Sequence, residues 1–340
     1  MAVSSCRIGR CGRSLRVGGI PARVAGWRRR IVSFRPCRKE NGPASPRPDA
    51  HGAHAGHGQD TGRKHRMTDS QALLQARFGI GLPGVEVPDA ISALIDRRVT
   101  RRYTDQDVPD PLLDALLAAA QSAPAKSDLQ QYSVIVLRDR ARIKRIADWI
   151  GTMDWIATAP VFLVWCGDMR RGQRLCALHD MPHANNNLDT FLNTAVDCTL
   201  AMGQFMAAAD AIGLGTCPIS YVRSHIERVS PLLGLPDGVY PVAGLTVGWP
   251  VFRRPVSMRL PPRVVVHREH YDDSALADAI TDYDERRRAR EPVAPGSLKN
   301  TDVYPPREGV GWSENVARQL SVPERFGFAA YLKTKGFDLA

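Results

Sequence analysis

The sequence predicts a mixed α+β fold, and three features carry the prediction. Helix-patterned and strand-patterned segments succeed one another without strict alternation. The run "APVFLVWCGD" is apolar almost throughout, as a strand buried on both faces must be. The stretch 188–212 is apolar nearly all round and is followed by Gly213, which suits a helix in a core or a dimer interface.

Helical patterning begins at Met67, in "MTDSQALLQARFG". "VPDAISALIDRR" sets Ile91, Leu94 and Ile95 on one helical face, with Asp89 at the start and arginines at the end, where they complement the helix dipole. In "DPLLDALLAAAQSAP", Asp110 reads as an N-cap, Pro111 as the first helical residue and Pro124 as the far boundary. "YSVIVLRD" is a strand by its β-branched residues, and "RARIKRIADWI" a helix. The helix 188–212 comes after the buried strand, and its Met202 and Met206 read as packing residues. "GTCPISYV", a helix in "SHIERVSPLLGL", a strand in "YPVAGLTVGWP" and a further strand in "RLPPRVVVHREHY" complete the body. Residues 286–312 are polar and Pro-rich, and read as a long loop that acts as a lid or an arm. "ERFGFAAYLKTKGF" closes the chain with a helix.

Charge is unevenly placed along the 340 residues. Of 46 Lys/Arg and 35 Asp/Glu, residues 1–66 hold 15 and 3, a local +12. The rest therefore holds 31 and 32, a net of −1. The overall +11 belongs to the first 66 residues, and the body has no polyanion-binding excess. Those residues are rich in Gly, Pro, His and Arg and too poor in large apolar side chains to offset ordering entropy. They read as a disordered basic extension or as one created by too early a start codon, with Met67 a candidate native start ahead of the folded domain 67–340. No apolar core of a secretory signal and no run approaching the roughly 20 residues of a membrane helix is present. Seven cysteines without a CxxC pair fit reduced thiols in a cytoplasmic protein.

Several motifs invite chemistry and do not sustain it. "GIGLPG" at 79–84 satisfies GxGxxG, but no strand precedes it and Pro83 disturbs the turn. His179 and His183 stand four apart, but Pro182 interrupts any helix between them, so loop polarity explains them better than a metal. Cys217 has no base marked beside it and reads as a buried thiol. The stretch "IDRRVTRRYTD" remains. Arg97, Arg98, Arg101 and Arg102 crowd into six residues of a near-neutral body. Guanidinium groups grip phosphate bidentately at any physiological pH, and one compact cluster suits a phosphomonoester better than a polymer.

Five stretches together resemble the FMN-dependent nitroreductase family: "RRVTRRYTDQDVPD", "APAKSDLQQYSVIVL", "WIATAPVFLVWCGD", "AADAIGLGTCPISYV" and "YPVAGLTVGWP" with "RLPPRVVVHREHY". The resemblance covers roughly residues 70–340, with a C-terminal extension from about 270. It is nearest the oxygen-insensitive NADPH-dependent nitroreductases and flavin reductases. It implies a central mixed sheet flanked by helices, in an intertwined homodimer with FMN at the subunit interface. The family pattern His/Arg-Arg-Ser-x-Arg-x-Phe places Arg97, Arg98, Val99 and Arg101 on the flavin, with Tyr103 for the Phe. By resemblance Arg98, Arg101 and Arg259 neutralise the phosphate, and Arg97 faces the pyrimidine edge or ribityl chain. The pattern A-P-S-x-x-N-x-Q maps to Ala125, Lys126, Ser127, Asp128 and Gln130, with Ala125 replacing Ser and Asp128 replacing Asn. Met153 stands where Gln is frequent, Ser257 where Lys is common, and Ile219 and Ser220 match flavin-lining positions. No metal is implied.

The implied activity is ping-pong reduction of nitroaromatics, quinones, free flavins or azo dyes by NADPH or NADH through FMN, which supplies the reactive chemistry itself. The resemblance implies basic residues near the 2′-phosphate shortly before a Trp like Trp312; only Arg307 stands there in "REGVGW", so NADPH and NADH both stay open. The alternatives are a dehalogenase or flavin-fragmenting member of the same fold, or nucleic-acid binding through the basic tail.

Overall fold

The computed structural model describes residues 70–340. The expectations for residues 1–66 and Met67 (a disordered basic tail, a start site, nucleic-acid binding) lie outside the described residues. Helix α1 covers Ser70–Phe78, α2 Asp89–Ile95 and α3 Asp110–Gln121. Strand β1 (Tyr132–Leu137), α4 (Arg140–Ile150), β2 (Val161–Asp168) and α5 (Arg170–Leu178) follow. Then come α6 (Leu188–Ala211), β3 (Gly215–Ile219), α7 (Ile226–Leu233) and β4 (Val239–Gly248). The C-terminal part holds α8 (Pro262–Val265), α9 (Leu276–Arg290), α10 (Trp312–Leu320) and α11 (Phe328–Thr334).

The four strands form one sheet in the order β1-β2-β4-β3, and every pairing is antiparallel. The expected mixed sheet is thus corrected: the parallel contact seen is an isolated bridge, Val99 to Thr216. Strand β2 shows why the sheet lies inside. Its alternation sends Val161, Leu163 and Trp165 into one core, with α3, α6 and the C-terminal Tyr331, Leu332 and Phe337. Phe162, Val164 and Cys166 point the other way, into a core closed by Ile143, Ile146 and Ile150 of α4. A strand buried on both faces is the outcome that its near-continuous apolar run required.

Helix α4 is capped as its sequence suggests. Asp139 accepts from the amides of Ala141 (2.8 Å) and Arg142 (3.4 Å), and Gly151 ends the helix with φ 69°. Three sequence expectations need correction. Asp110 is the first helical residue and caps nothing; Pro109 precedes it, and the Asp110 carboxylate pairs with Arg138 at 2.7 Å. Residues 259–271 form no strand, because Pro261 and Pro262 remove two ladder donors and start the short α8, leaving Val265 and Val266 exposed. The expected loop 286–312 is shorter: α9 runs to Arg290, a 3-10 turn forms at Pro295–Ser297 and α10 begins at Trp312. Helix α2 buries no residue at all, and Ile91 and Leu94 face outward.

Among the described residues no helix is long and apolar enough to cross a membrane, and no cluster of His, Cys, Asp or Glu could hold a metal. The four described cysteines are free thiols. "GIGLPG" closes α1, with Gly79 at φ 71°, and builds no strand-to-helix phosphate loop.

Candidate functional site

The arginine-rich stretch lies against the sheet edge made by β3. The Thr100 amide donates to Thr216 O at 3.0 Å, and the Thr104 amide to Trp249 O at 2.9 Å. Tyr103 pins the segment, its buried hydroxyl meeting Thr100 O and Thr246 Oγ1, each at 2.7 Å. Burial pushes the Tyr103 phenol far up, partly opposed by Thr246, so it stays neutral and serves as an anchor. Two glycines permit this docking. A Cβ on Gly215 would lie 2.3 Å from Thr100 Oγ1, and one on Gly248 would lie 2.8 Å from the Tyr103 ring.

Around this segment five guanidinium groups gather against two carboxylates. Arg97 Nε lies 3.5 Å from Asp210 Oδ2, Arg98 Nη1 2.5 Å from Asp96 Oδ2, and Arg253 Nη2 3.5 Å from the same Asp96 oxygen. Arg259 bonds Ser257 Oγ at 3.0 Å, and its own amide meets Arg77 O at 2.8 Å. The Arg77 guanidinium is depressed by its burial first, then by repulsion from Arg259 and Arg97, which places these cations in one field. Arg97 Nε and Arg98 Nε are buried and make no hydrogen bond, although Arg97 Nε keeps its ion pair with Asp210. Buried donors and surplus positive charge call for an anion.

Arg101 leans a different way. Its guanidinium lies 5.9 Å from the Trp155 ring centre and near Cys217, whose thiol is raised mainly by burial and lowered in part by Arg101. This carries the basic segment toward Met153, half-buried beside Trp155, and toward Ile219 at the end of β3. Ser220 follows and accepts from Arg325 Nη2 at 3.3 Å. Beyond it opens a cavity of about 670 Å³ walled by Tyr221, Arg223, His225, Arg325 and Phe326. Of the sequence-predicted residues, Arg97, Arg98, Val99 and Arg101 lie on the segment docked to β3, Arg259 is tied to that segment through Arg77, Ile219 ends β3 just before Ser220, and Met153 packs in the same core as Ile219. Arg101 and Arg102 are both exposed, so exposure does not set apart the one arginine off the pattern.

Ala125, Lys126, Ser127, Asp128 and Gln130 form a separate group. Ser127, Asp128 and Gln130 all have left-handed backbones, at φ 49°, 58° and 50°. Asp197 of α6 holds the loop: its carboxylate accepts from the Lys126 amide at 2.9 Å and the Gln131 amide at 3.0 Å. Asp197 and Asp210 both belong to α6, and thirteen residues of helix separate them by about 20 Å. The loop and the arginine cluster are thus anchored at points about 20 Å apart along α6.

Sequence reasoning passed over Asp197, Asp210, Arg77 and Arg325. A usable signal existed for two of them. Asp197 and Asp210 are acids inside a helix that is otherwise apolar or small, and a carboxylate there needs a partner. Arg77 and Arg325 gave no local hint, because their partners are remote in sequence.

The sequence profile of the nitroreductase family matches residues 94–153 and 149–249, and that of the family's C-terminal domain matches 257–340. The chain is 40% identical over 232 residues to an NAD(P)H-dependent FMN reductase of Bacillus subtilis strain 168, covering 67% of this chain and 90% of the relative. It is 34% identical over 251 residues to the oxygen-insensitive NADPH nitroreductase of Salmonella typhimurium strain LT2, covering 73% and 97%. Among solved structures, the oxidoreductase YcnD of Bacillus subtilis superposes with a TM-score of 0.68 at 34% identity over 74% of this chain and 99% of that one. The NADPH:FMN oxidoreductase of Vibrio harveyi complexed with NAD+ superposes at 0.64 with 27% identity, over 73% and 98%. With both profiles spanning the body and relatives matched over nearly their whole length, this chain belongs to the nitroreductase family.

Proposed function

We propose that the chain is an FMN-dependent oxidoreductase that takes electrons from NAD(P)H and passes them to an oxidised small molecule, a nitroaromatic, a quinone or a free flavin. The gathering of five guanidinium groups around only two carboxylates, Asp96 and Asp210, carries this reading, because a phosphomonoester balances the surplus positive charge. The names of the relatives, FMN reductase and NADPH nitroreductase, support it.

FMN, when bound, supplies the ring that accepts and donates hydride, so the chain needs no dedicated acid or base of its own. The chain's residues bind and orient. Arg98, Arg101 and Arg259 take the phosphate, and Arg97 faces the ribityl chain or the pyrimidine edge. Val99, Met153, Ile219 and Ser220 line the ring. The cavity beside Ser220 receives the nicotinamide and then the acceptor, which matches a two-step exchange at one place. In that cavity, burial and then Arg228 lower the His225 imidazole, so it is neutral at pH 7 and adds no charge. Arg307 is bonded to Glu314, which leaves less of its charge for a 2′-phosphate.

The loop 125–130 completes the site from a second copy of the chain. Its distance of about 20 Å from the arginines along α6 supports that arrangement. So does the exposed row Leu188, Leu192, Val196 and Leu200, which recurs every four residues on one face of α6. A cytoplasmic location fits the free thiols.

The test is direct. The purified protein is yellow, releases FMN on denaturation, and loses its 450 nm-region absorbance with NADPH or NADH under anaerobic conditions. A colourless protein that takes up no added FMN would overturn the reading. Arg98→Ala and Arg101→Ala each weaken FMN binding by about tenfold or more, the worth of a charge-assisted hydrogen bond to phosphate. Unaltered flavin occupancy in both would refute their assignment.

A further inference from the structure

Helix α1 brings a residue to the arginine cluster that the proposed flavin contacts do not use. The family profile begins at residue 94, so α1 (Ser70–Phe78) lies ahead of the matched span. Arg77, near the end of α1, is only 7% exposed. Its guanidinium makes four hydrogen bonds, all to main-chain carbonyls. Nε and Nη2 reach Ile95 O at 2.9 and 2.5 Å, Nη2 also reaches Arg97 O at 2.6 Å, and Nη1 reaches Ser257 O at 2.6 Å. In return the Arg77 carbonyl accepts the Arg259 amide at 2.8 Å.

Two of these acceptors, Ile95 O and Arg97 O, lie at the C-terminal end of α2, where a helix leaves its last carbonyls unpaired. The third belongs to the segment that ends in Arg259. One planar fork thus joins the chain segment bearing Arg97, Arg98 and Arg101 to the segment bearing Arg259. The setting repeats the connection. Arg290 of α9 donates to Gln75 O of α1 at 3.3 Å and to Val256 O at 2.6 Å. Gly79, at φ 71°, brings the end of α1 so near that a Cβ there would lie 2.4 Å from Met258 Cε.

Burying a cation beside like charges is unfavourable, so the fold gains something else from it. With four bonds made from five N–H donors, Arg77 has little left for an anion. Its contribution is geometric.

We propose that Arg77 is a positioning residue: α1 inserts it between the two arginine-bearing segments and sets their spacing, and so governs affinity for the phosphate end of the flavin. The proposal rests on the reading that these arginines take the FMN phosphate.

Riboflavin and FMN differ only by that phosphate. The ratio of their dissociation constants on the full-length protein, stripped of flavin, therefore isolates the phosphate contribution. Arg77→Lys keeps the charge but cannot span three carbonyls with one planar fork. It is expected to lower the FMN preference over riboflavin by about tenfold, with riboflavin affinity unchanged. Arg77→Met is expected to do the same. Should neither variant fold, Leu74→Ala, which loosens α1 at a side chain 2% exposed, is expected to show the same selective loss. A full wild-type preference in a folded Arg77→Lys protein, even one with a lower melting temperature, would reduce Arg77 to a stability role and overturn the proposal. A wild-type protein that binds FMN no better than riboflavin would instead overturn the phosphate reading itself, and the proposal with it.

Discussion

Asp210 shows how a single side chain is set by its surroundings. Its carboxyl is pushed up to about 6 from the ordinary 3.8, chiefly by burial, and Arg97, Arg253 and Arg98 only partly offset this. The folded state therefore holds a proton that the unfolded chain releases between pH 4 and 6. Stability contributed by this group falls as pH rises through that window and stays lower above it. Two units correspond to about 3 kcal/mol, and the side chain, 15% exposed, is shielded enough for most of that to be felt. Asp210→Asn is expected to melt at a higher temperature than wild type at pH 8, with the gain vanishing by pH 4. An equal gain at both pH values would show that charge is not the cause. Asp210 also marks what was legible at this scale. Arg97, Arg98 and Arg101 stood out because they cluster within a few positions of a neutral body. Arg77 meets Ser257 from 180 positions away, and only the folded chain reveals that contact.

At the scale of elements, α6 organises the site from its middle and its C-terminal end. Its buried Asp197 is bonded to two main-chain amides of the loop 126–131, which contains the three left-handed residues. That backbone conformation is unfavourable for non-glycine residues and persists only where the surroundings enforce it. Removing the enforcing carboxylate leaves two amides unsatisfied, so Asp197→Ala is expected to cost about 3 kcal/mol. Urea denaturation measures this, and hydrogen exchange at Lys126 and Gln131 is expected to quicken. Unchanged protection of those amides would contradict the role. Gly215 is the matching test on β3. A methyl group at 2.3 Å from Thr100 must displace the arginine segment, so Gly215→Ala is expected to lose about 1–3 kcal/mol and to weaken FMN retention. A variant as stable as wild type with full FMN retention would show that the segment tolerates the change. Elements with strong periodicity or a terminal signal, such as α4, β2, β4 and α6, were readable from the sequence. The segment 259–271 was misread because three consecutive valines favour a strand locally, while the two preceding prolines deny it ladder donors. Left-handed residues at 127–130 had no glycine or proline to announce them.

At the scale of the whole molecule, the open face of α6 is the feature that one chain leaves incomplete. Its buried side, including Cys198, Ala201, Phe205 and Ala209, packs on the sheet. Leu188, Leu192, Val196 and Leu200 on the other side are each more than 40% exposed. The groove of about 320 Å³ between α2 and α6 continues this surface past Gly203 to Ala211, with Leu94 on its opposite wall. A helix apolar on nearly every side already suggested an interface from sequence; which residues remain uncovered could be known only once the sheet had claimed its share. The two candidate half-sites are anchored at the middle of this helix, on Asp197, and at its C-terminal end, on Asp210. In the proposed dimer, two copies pair face to face, which covers the row and carries the loop 125–130 of one toward the arginines of the other. Dimer assembly and flavin retention are then one property. Leu192→Glu with Val196→Glu places two charges in the middle of the row, where desolvation without a partner is costly. The double variant is expected to sediment as a monomer and to lose FMN together with its dimer, although neither side chain is proposed to touch the flavin. A monomer that retains FMN at wild-type occupancy would place the whole site within one chain.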